Sequence, residues 1–389
     1  MKGRDILVMS LQNWGDALGS NSYNLAMEFA KQNKVLYVNR APDRISQCKL
    51  LFNPKKINKD AEWISNPFTN LYVLNTQTVM ESINWLPTKP FQYLNYYNGK
   101  KLSKEIKQAI LKLGMKNLVL FIDNDFIRGL YLKELINPTN FIYYIRDNLI
   151  THKYFSKHGK ICEEQIATKA DLIVANSPYL ANLLKPFNDN IHDIGQGCDF
   201  SLFQEGEAEK PDDFPESKNP TIGYVGNIVS YRLDIKLLES ICKRRKDWNW
   251  VFVGPLDEIF KKSPLTEYSN VYFLGPKSEK EIWKYIYHID VCINPQLING
   301  MTEGNYPRKI DEYLCMGKPV VATRTDFMES FSNIVYLYNN SNEFEEKLVC
   351  ALSEKKDAIL QEKRKKVTKN NTWDNCVNKI YKHIRNESF

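Results

Sequence analysis

Short apolar runs of three to six residues recur along this chain, interleaved with stretches of helical spacing, and the series occurs twice. In the first half Asp5–Ser10 (DILVMS), Lys34–Val38 (KVLYV), Leu71–Leu74, Leu118–Ile122, Phe141–Ile145 and Asp171–Ala175 read as strands, with helices over Ser20–Gln32 and Gly99–Leu113. Strands that are apolar throughout and separated by helices belong in a parallel sheet covered on both faces. The composition then changes across Phe203–Pro220, where QEGEAEKPDDFPESKNP is rich in Glu, Asp and Pro, and this stretch reads as a linker. A second series follows, with strands at Thr221–Val225, Trp250–Val253, Val271–Phe273, Val291–Ile293 and Pro319–Ala322. Its helices fall near Asp234–Arg244, Glu279–His288, Pro307–Met316, Asn342–Lys355 and Trp373–Ile384. The expectation is an α/β chain of two Rossmann-like doubly wound domains facing a central cleft, with ligands beyond the carboxyl ends of the strands. The first domain is expected at 1–203, the linker at 204–220 and the second domain at 221–370.

The length of 389 residues suits two cores, and 43% hydrophobic with 25% charged residues is ordinary globular composition. No run reaches the roughly 18–20 apolar residues of a membrane span, and Ile6–Met9 is too short a core for a signal peptide. A cytosolic protein is expected. Eight cysteines stand without a CxxC pair and five histidines form no HExxH cluster, so neither a disulfide framework nor a structural zinc is expected. A net charge of +7 combined with 22 tyrosines gives a surface able to rest against anionic lipid headgroups on the inner face of the cytoplasmic membrane. Nucleic acid is not expected as a partner, because bases and acids are mixed along the chain and no nucleic-acid motif is present. The densest basic run, Glu362–Lys369 (EKRKKVTK), reads as a solvated helix face.

Asn305–Val321 (NYPRKIDEYLCMGKPVV) carries the clearest chemistry. Tyr306 to Met316 reads as a helix, with Pro307 at its first position and Gly317 just past its end. Arg308 and Lys309 then fall in the first turn, where the dipole makes cations unfavourable by roughly 0.3–1 kcal/mol each. A bound anion would turn that penalty into a clamp, and Glu312 one turn later could accept bonds from ribose hydroxyls. The alternative is an ordinary surface ion pair, since Arg308 and Glu312 are four residues apart.

Four segments of the second half, TIGYVGNIVSYR (Thr221–Arg232), WVFVGP (Trp250–Pro255), KEIWKYIYHIDVCINP (Lys280–Pro295) and EGNYPRKIDEYLCMGKPVVAT (Glu303–Thr323), fall in a particular order and spacing. In this they resemble the donor domain of GT-B glycosyltransferases, most closely the retaining family 4 (group 1) enzymes of bacterial surface polysaccharide synthesis. The resemblance is good over about Thr221–Thr325. In the first half, SLQNWGDALGSNSYNLAMEFAK and ADLIVANSPYLANLL are similar to the family's amino-terminal helix entry and last amino-domain strand. NTWDNCVNKIYKHI, within 371–389, resembles the helix that crosses back to the first domain.

Carried over residue by residue, the resemblance makes Glu312 the ribose-holding glutamate. The family's first motif glutamate would stand at 304, which is Gly304, and Glu303 is one place off. Either a local bulge restores Glu303, or a Pro-x-Lys-x-x-Glu pattern (Pro307, Lys309, Glu312) does the work. The family's Arg and Lys after the first donor-domain strand match Asn227 and Arg232, so one cation of the pair is missing, and Arg308 or Lys309 would supply it. Gly226 lets a turn approach phosphates closely. Asn305 and Tyr306 complete the expected donor contacts.

In the first half, Gly15 and Gly19 precede a helix begun at Ser20 or Asn21, a loop whose amides could reach the donor; a plain helix cap explains Ser20 equally well. Asp147, after the strand Phe141–Ile145, could orient or deprotonate an acceptor hydroxyl, or could pair with Arg146 or Arg128. Asp123-Asn124-Asp125 has an Asp-x-Asp form, read here as a loop contact or acceptor site rather than a metal site.

The resemblance implies a metal-independent transferase that moves a sugar from a UDP- or GDP-linked nucleotide sugar to a glycan or lipid-linked glycan acceptor, without a resident cofactor. Asp147, Glu303, Lys309 and Arg232 are its candidate catalytic residues. A sugar-nucleotide epimerase or phosphorylase of the same fold, or a non-catalytic scaffold, is the alternative; the departures at 304 and 227 speak for the scaffold.

Overall fold

A computed structural model of the protein describes residues 3–15, 20–45, 62–203, 206–354 and 357–384. The chain forms two compact units, Met1–Gly195 with Trp373–Phe389, and Gln196–Thr372. No helix among the described residues is long and apolar enough to cross a membrane.

The first unit is built on eight strands: β1 (Asp5–Ser10), β2 (Lys34–Val38), β3 (Ile64–Phe68), β4 (Leu71–Leu74), β5 (Leu118–Asp123), β6 (Asn140–Ile145), β7 (Leu172–Ala175) and β8 (Ile191–Asp193). They lie in the order β3-β4-β2-β1-β5-β6-β7-β8, parallel except for the β3–β4 pair. β1 shows how one apolar run serves two cores. Leu7 and Met9 pack with Phe91, Leu102, Ile106 and Ile166 on one face, while Ile6 and Val8 pack with Leu25, Phe29, Val377 and Ile380 on the other. Trp373–His383 thus supplies part of the first unit's second core, although the chain reaches it only after building the other unit.

The second unit has β9 (Thr221–Val225), β10 (Asn249–Val253), β11 (Val271–Gly275), β12 (Val291–Asn294), β13 (Val320–Thr323) and β14 (Tyr336–Tyr338). All are parallel, in the order β11-β10-β9-β12-β13-β14. The strand order reverses between β9 and β12, which makes their carboxyl ends the switch point where ligands bind such sheets. Trp250 and Phe252 face the core containing Leu238 and Phe344, and Val251 and Val253 face the core containing Ile286 and Leu314.

Four differences from the sequence expectation have physical reasons. The segment expected as a linker belongs to the second unit: Phe214 is buried in its core, and Asp213 takes the Tyr285 hydroxyl at 2.8 Å and pairs with Lys277. The helix expected from Gly99 begins at Thr88, because Asn95 and Asn98 stand in for apolar residues on its inner face. Asn95 donates to the Ile127 carbonyl at 2.9 Å, and Asn98 exchanges bonds with the Glu81 backbone at 2.8 and 3.0 Å. β3, unexpected with its Pro67, is tolerated as an edge strand. The helix expected over Tyr306–Met316 is only Lys309–Cys315, with Arg308 as its cap residue and no side-chain cap bond.

Candidate functional site

At the carboxyl edge of the second sheet, three neighbouring strands each run into a glycine of positive φ: Gly226 at 139°, Gly254 at 141° and Gly275 at 70°. The turns are stacked, with the Gly226 amide donating to Val253 and the Gly254 amide to Gly275, each at 2.9 Å. A Cβ at Gly254 would lie 2.0 Å from the Gly226 carbonyl oxygen, so only glycine permits this approach.

β9 and β12 pair only through Val291–Ile222 and Cys292–Gly223 before they separate. The opening leaves the Val225 backbone without a strand partner on that side, and the buried Tyr313 hydroxyl fills the gap. It accepts from the Val225 amide at 2.9 Å and donates to the Val225 carbonyl at 3.2 Å. Burial among apolar neighbours pushes the Tyr313 phenol well above its ordinary range, so it stays a neutral donor. The Lys309–Cys315 helix is therefore fastened to the end of β9.

That fastening sets Lys309. Its ammonium lies 5.1 Å over the Tyr224 ring, and a Cβ at Gly226 would meet Lys309 Cε at 3.2 Å and Nζ at 3.7 Å. Half-buried, it makes no ion pair with the described residues. The Tyr224 hydroxyl donates to the Asn227 carbonyl at 3.0 Å, holding the turn after β9. Arg232 lies further along this turn, partly buried, with its guanidinium 5.7 Å over the Tyr231 ring. The loops after β9 and β12 are zipped together: the Leu297 amide donates to the Arg232 carbonyl at 2.8 Å and the Asn299 side chain to the Tyr231 carbonyl at 2.9 Å.

Glu312 accepts from Arg308 Nε at 3.0 Å, the ion pair weighed as the alternative in the sequence. Glu303 is exposed in a turn closed by its own amide on the Asn299 carbonyl at 2.8 Å, and Gly304 beside it has φ of 69°. Asn305 is buried. Tyr306 departs from the expected donor-contact role: its ring packs on Phe327 and Phe331, and its hydroxyl donates to Asp311 at 2.8 Å. Asn371 donates to both partners at 2.9 Å. The helix start at which an anion clamp is expected from the sequence therefore lies at Lys309, not at Tyr306. A helix of two turns starting at Lys309 has little dipole to offer an anion.

The first unit has its own charged cluster at the ends of β1, β5 and β6. Arg146 pairs with Asp123 at 2.8 Å and with Asp147 at 2.9 Å, and Ser10 donates to Asp123 at 2.9 Å. Burial raises the Asp123 carboxyl above its usual range despite the guanidinium beside it. Asn124, in the left-handed region at φ 52°, accepts from the Arg146 and Asp147 amides, and Asp125 pairs with Arg128. Each carboxylate of Asp123-Asn124-Asp125 is thus held by an arginine. Asp147 has the ion-pair partner that the sequence left open. Ser20 caps the helix Asn21–Ala30, its Oγ accepting from the Tyr23 amide at 3.1 Å; Gly19 lies outside the described residues.

A cleft of about 470 Å³ opens in the same unit, lined by Asp43, Glu81, Trp85, Asn95, Asn98 and Tyr154 among others. Its mixture of exposed rings, carboxylates and amides is suited to a polyhydroxylated ligand.

Sequence reading passed over Tyr224, Tyr313 and Gly254. The glycines were legible as a signal, since YVG and FVG end successive strands alike. The tyrosines looked like core residues because both are buried, whereas the Tyr313 hydroxyl bonds the Val225 backbone and Tyr224 meets Lys309 with its ring and the Asn227 carbonyl with its hydroxyl.

Two parallel-sheet α/β units, the second with a glycine-edged switch point, define the GT-B fold. Residues 219–354 match the family model of Glycosyl transferases group 1. The fold is GT-B, and the second unit carries the match to the group 1 glycosyltransferase domain. The chain is 26% identical over 251 residues to TuaH of Bacillus subtilis (strain 168), assigned as a teichuronic acid biosynthesis glycosyltransferase; the match covers 61% of this chain and 62% of that protein's length. Among solved structures, sucrose-phosphate synthase from Thermosynechococcus elongatus is similar at TM-score 0.69 and 14% identity, covering 98% of this chain and 99% of that one. Anabaena Alr3699/HepE in complex with UDP is similar at TM-score 0.64 and 14% identity, covering 97% and 98%. At such identities these structures speak to the fold alone.

Proposed function

We propose that the chain transfers a sugar from a nucleoside-diphosphate sugar, UDP- or GDP-linked, to a glycan or lipid-linked glycan acceptor in bacterial surface polysaccharide synthesis. The observation that carries this reading is Lys309, an ammonium without an anionic partner among the described residues, set against the Gly226 turn at the switch point of the second sheet. A diphosphate at that turn would provide the missing counter-charge. The UDP bound by the structurally similar HepE supports a nucleotide ligand, and kinship with TuaH supports a cell-surface glycan as the product.

In the reaction, the bond from the anomeric carbon to the diphosphate breaks and its electron pair stays on the departing phosphate oxygen. The acceptor hydroxyl oxygen bonds to the anomeric carbon and loses its proton. Lys309 and Arg232 stabilise the charge gathering on the phosphate, doing with side chains what a metal ion does elsewhere. Glu312 holds the ribose after release from Arg308, and Glu303 is the candidate for a sugar contact by its place in the family motif. Retention of anomeric configuration is part of the reading and rests on the resemblance of Glu303–Thr323 to the retaining family. The acceptor occupies the cleft of the first unit, and Asp147, paired with Arg146 at the end of β6, is the candidate orienting group. The protein works on the cytosolic side of the membrane that carries a lipid-linked acceptor.

Turnover of a nucleotide-sugar panel tests this. Lys309→Ala and Arg232→Ala should each lower transfer on the order of a hundredfold while leaving the unfolding midpoint nearly unchanged. Unaltered transfer in both variants would remove the proposed clamp.

A further inference from the structure

We propose that the outer face of the Thr88–Leu113 helix is a docking surface for an anionic lipid bilayer. Tyr93, Tyr97, Lys100, Lys104, Lys107 and Leu111 succeed one another at intervals of four or three residues, which places them in one stripe along the helix. All six are exposed, Tyr93 at 74% and Leu111 at 79%. Tyr96 and Lys89 are exposed beside them, and the Lys100 ammonium lies 4.8 Å over the Tyr96 ring. The single acidic residue of the helix, Glu105, is buried on the inner side, accepting from the Trp63 indole at 3.0 Å and from the Gln77 and Thr78 amides at 2.8 and 2.9 Å. The exposed face therefore carries cations, aromatic rings and an aliphatic tip without an acid.

Water gives such a face no reward for its rings. At a bilayer surface, tyrosines sit at headgroup depth, lysine stems lie along the apolar boundary, and their ammonium groups reach the lipid phosphates. Trp85, 70% exposed, stands just before the helix start and adds an interfacial ring. A single-stranded nucleic acid fits less well, since the helix has no arginine and the Leu111 tip offers nothing to a phosphodiester backbone. The inner face of the same helix, through Phe91, Asn95 and Asn98, lines the cleft of this unit. One helix thus joins the membrane to the cleft, and the inference rests on the function proposed above only for what the cleft holds.

Cosedimentation with phosphatidylglycerol–phosphatidylcholine vesicles and with phosphatidylcholine vesicles tests the surface. Wild-type protein should bind the anionic vesicles alone. Lys100→Glu/Lys104→Glu/Lys107→Glu should bind them roughly tenfold or more weakly, and Tyr93→Ser/Tyr97→Ser should also lose binding, both retaining wild-type circular dichroism. Lys366→Glu/Lys369→Glu, on another exposed basic helix end, should bind as wild type does. No binding by wild-type protein, undiminished binding by the lysine variant, loss confined to the Lys366/Lys369 variant, or preference for single-stranded RNA over vesicles would overturn the proposal. Transfer to a short soluble acceptor by the lysine variant separates the two readings: its presence with lost vesicle binding supports both, and vesicle binding by a wild type inactive on every donor and acceptor leaves the surface standing without the transferase.

Discussion

A methyl group on Gly254 has nowhere to go, because the Gly226 carbonyl oxygen would lie 2.0 Å from it and the backbone is at φ 141°. Gly254→Ala should destabilise the protein by about 1–3 kcal/mol in urea unfolding and weaken nucleotide binding, since the two turns must part to admit it. A wild-type midpoint would contradict the stacked turns. Asp311 offers a second test. Burial pushes its carboxyl up to about 7, and Asn371 and Tyr306 only partly offset this. Glu163 is also raised to about 7 by burial, against the bond from Tyr143 at 2.8 Å. An acid with a raised native pKa binds more protons folded than unfolded, so its stabilising share is complete below pH ~4 and lost as pH rises through about 7. Wild-type stability should fall across that window by a few kcal/mol, and Asp311→Asn with Glu163→Gln should flatten the dependence; equal slopes would refute the assignment.

At the scale of elements, the site depends on how the Lys309–Cys315 helix is fixed to β9. Tyr313→Phe keeps the ring but strands the Val225 amide and carbonyl at the opening between β9 and β12. The loss should be about 1–3 kcal/mol, with a weaker nucleotide affinity as Lys309 loses its seat; urea unfolding and titration of the variant would show both. How much of this was legible varies along the chain. β1, β2, β4 and β9 were readable to the residue because buried parallel strands are apolar without interruption. The long helix was half missed because buried asparagines do a core residue's work, and the Lys309–Cys315 helix was overextended because Pro307 looked like an ordinary helix start while Tyr306 was being drawn into the core. Lys309 and Arg232 were legible as cations in the segments that follow β12 and β9. What ties Lys309 down was not, since Tyr224, Tyr313 and Gly226 come from elements that only the sheet order brings together.

On the scale of the whole molecule, each unit is a complete doubly wound sheet with two cores of its own, and the first depends on a terminal helix that follows the second in sequence. Nucleotide binding at the second unit is the central proposal. Titration calorimetry of UDP and GDP into the wild-type chain and into Lys309→Ala is therefore the most direct test. One of the two nucleotides should bind the wild type saturably and the variant at least about tenfold more weakly, a loss near 1.4 kcal/mol. Equal affinity in the two proteins, or heat from neither nucleotide in the wild type, would contradict it.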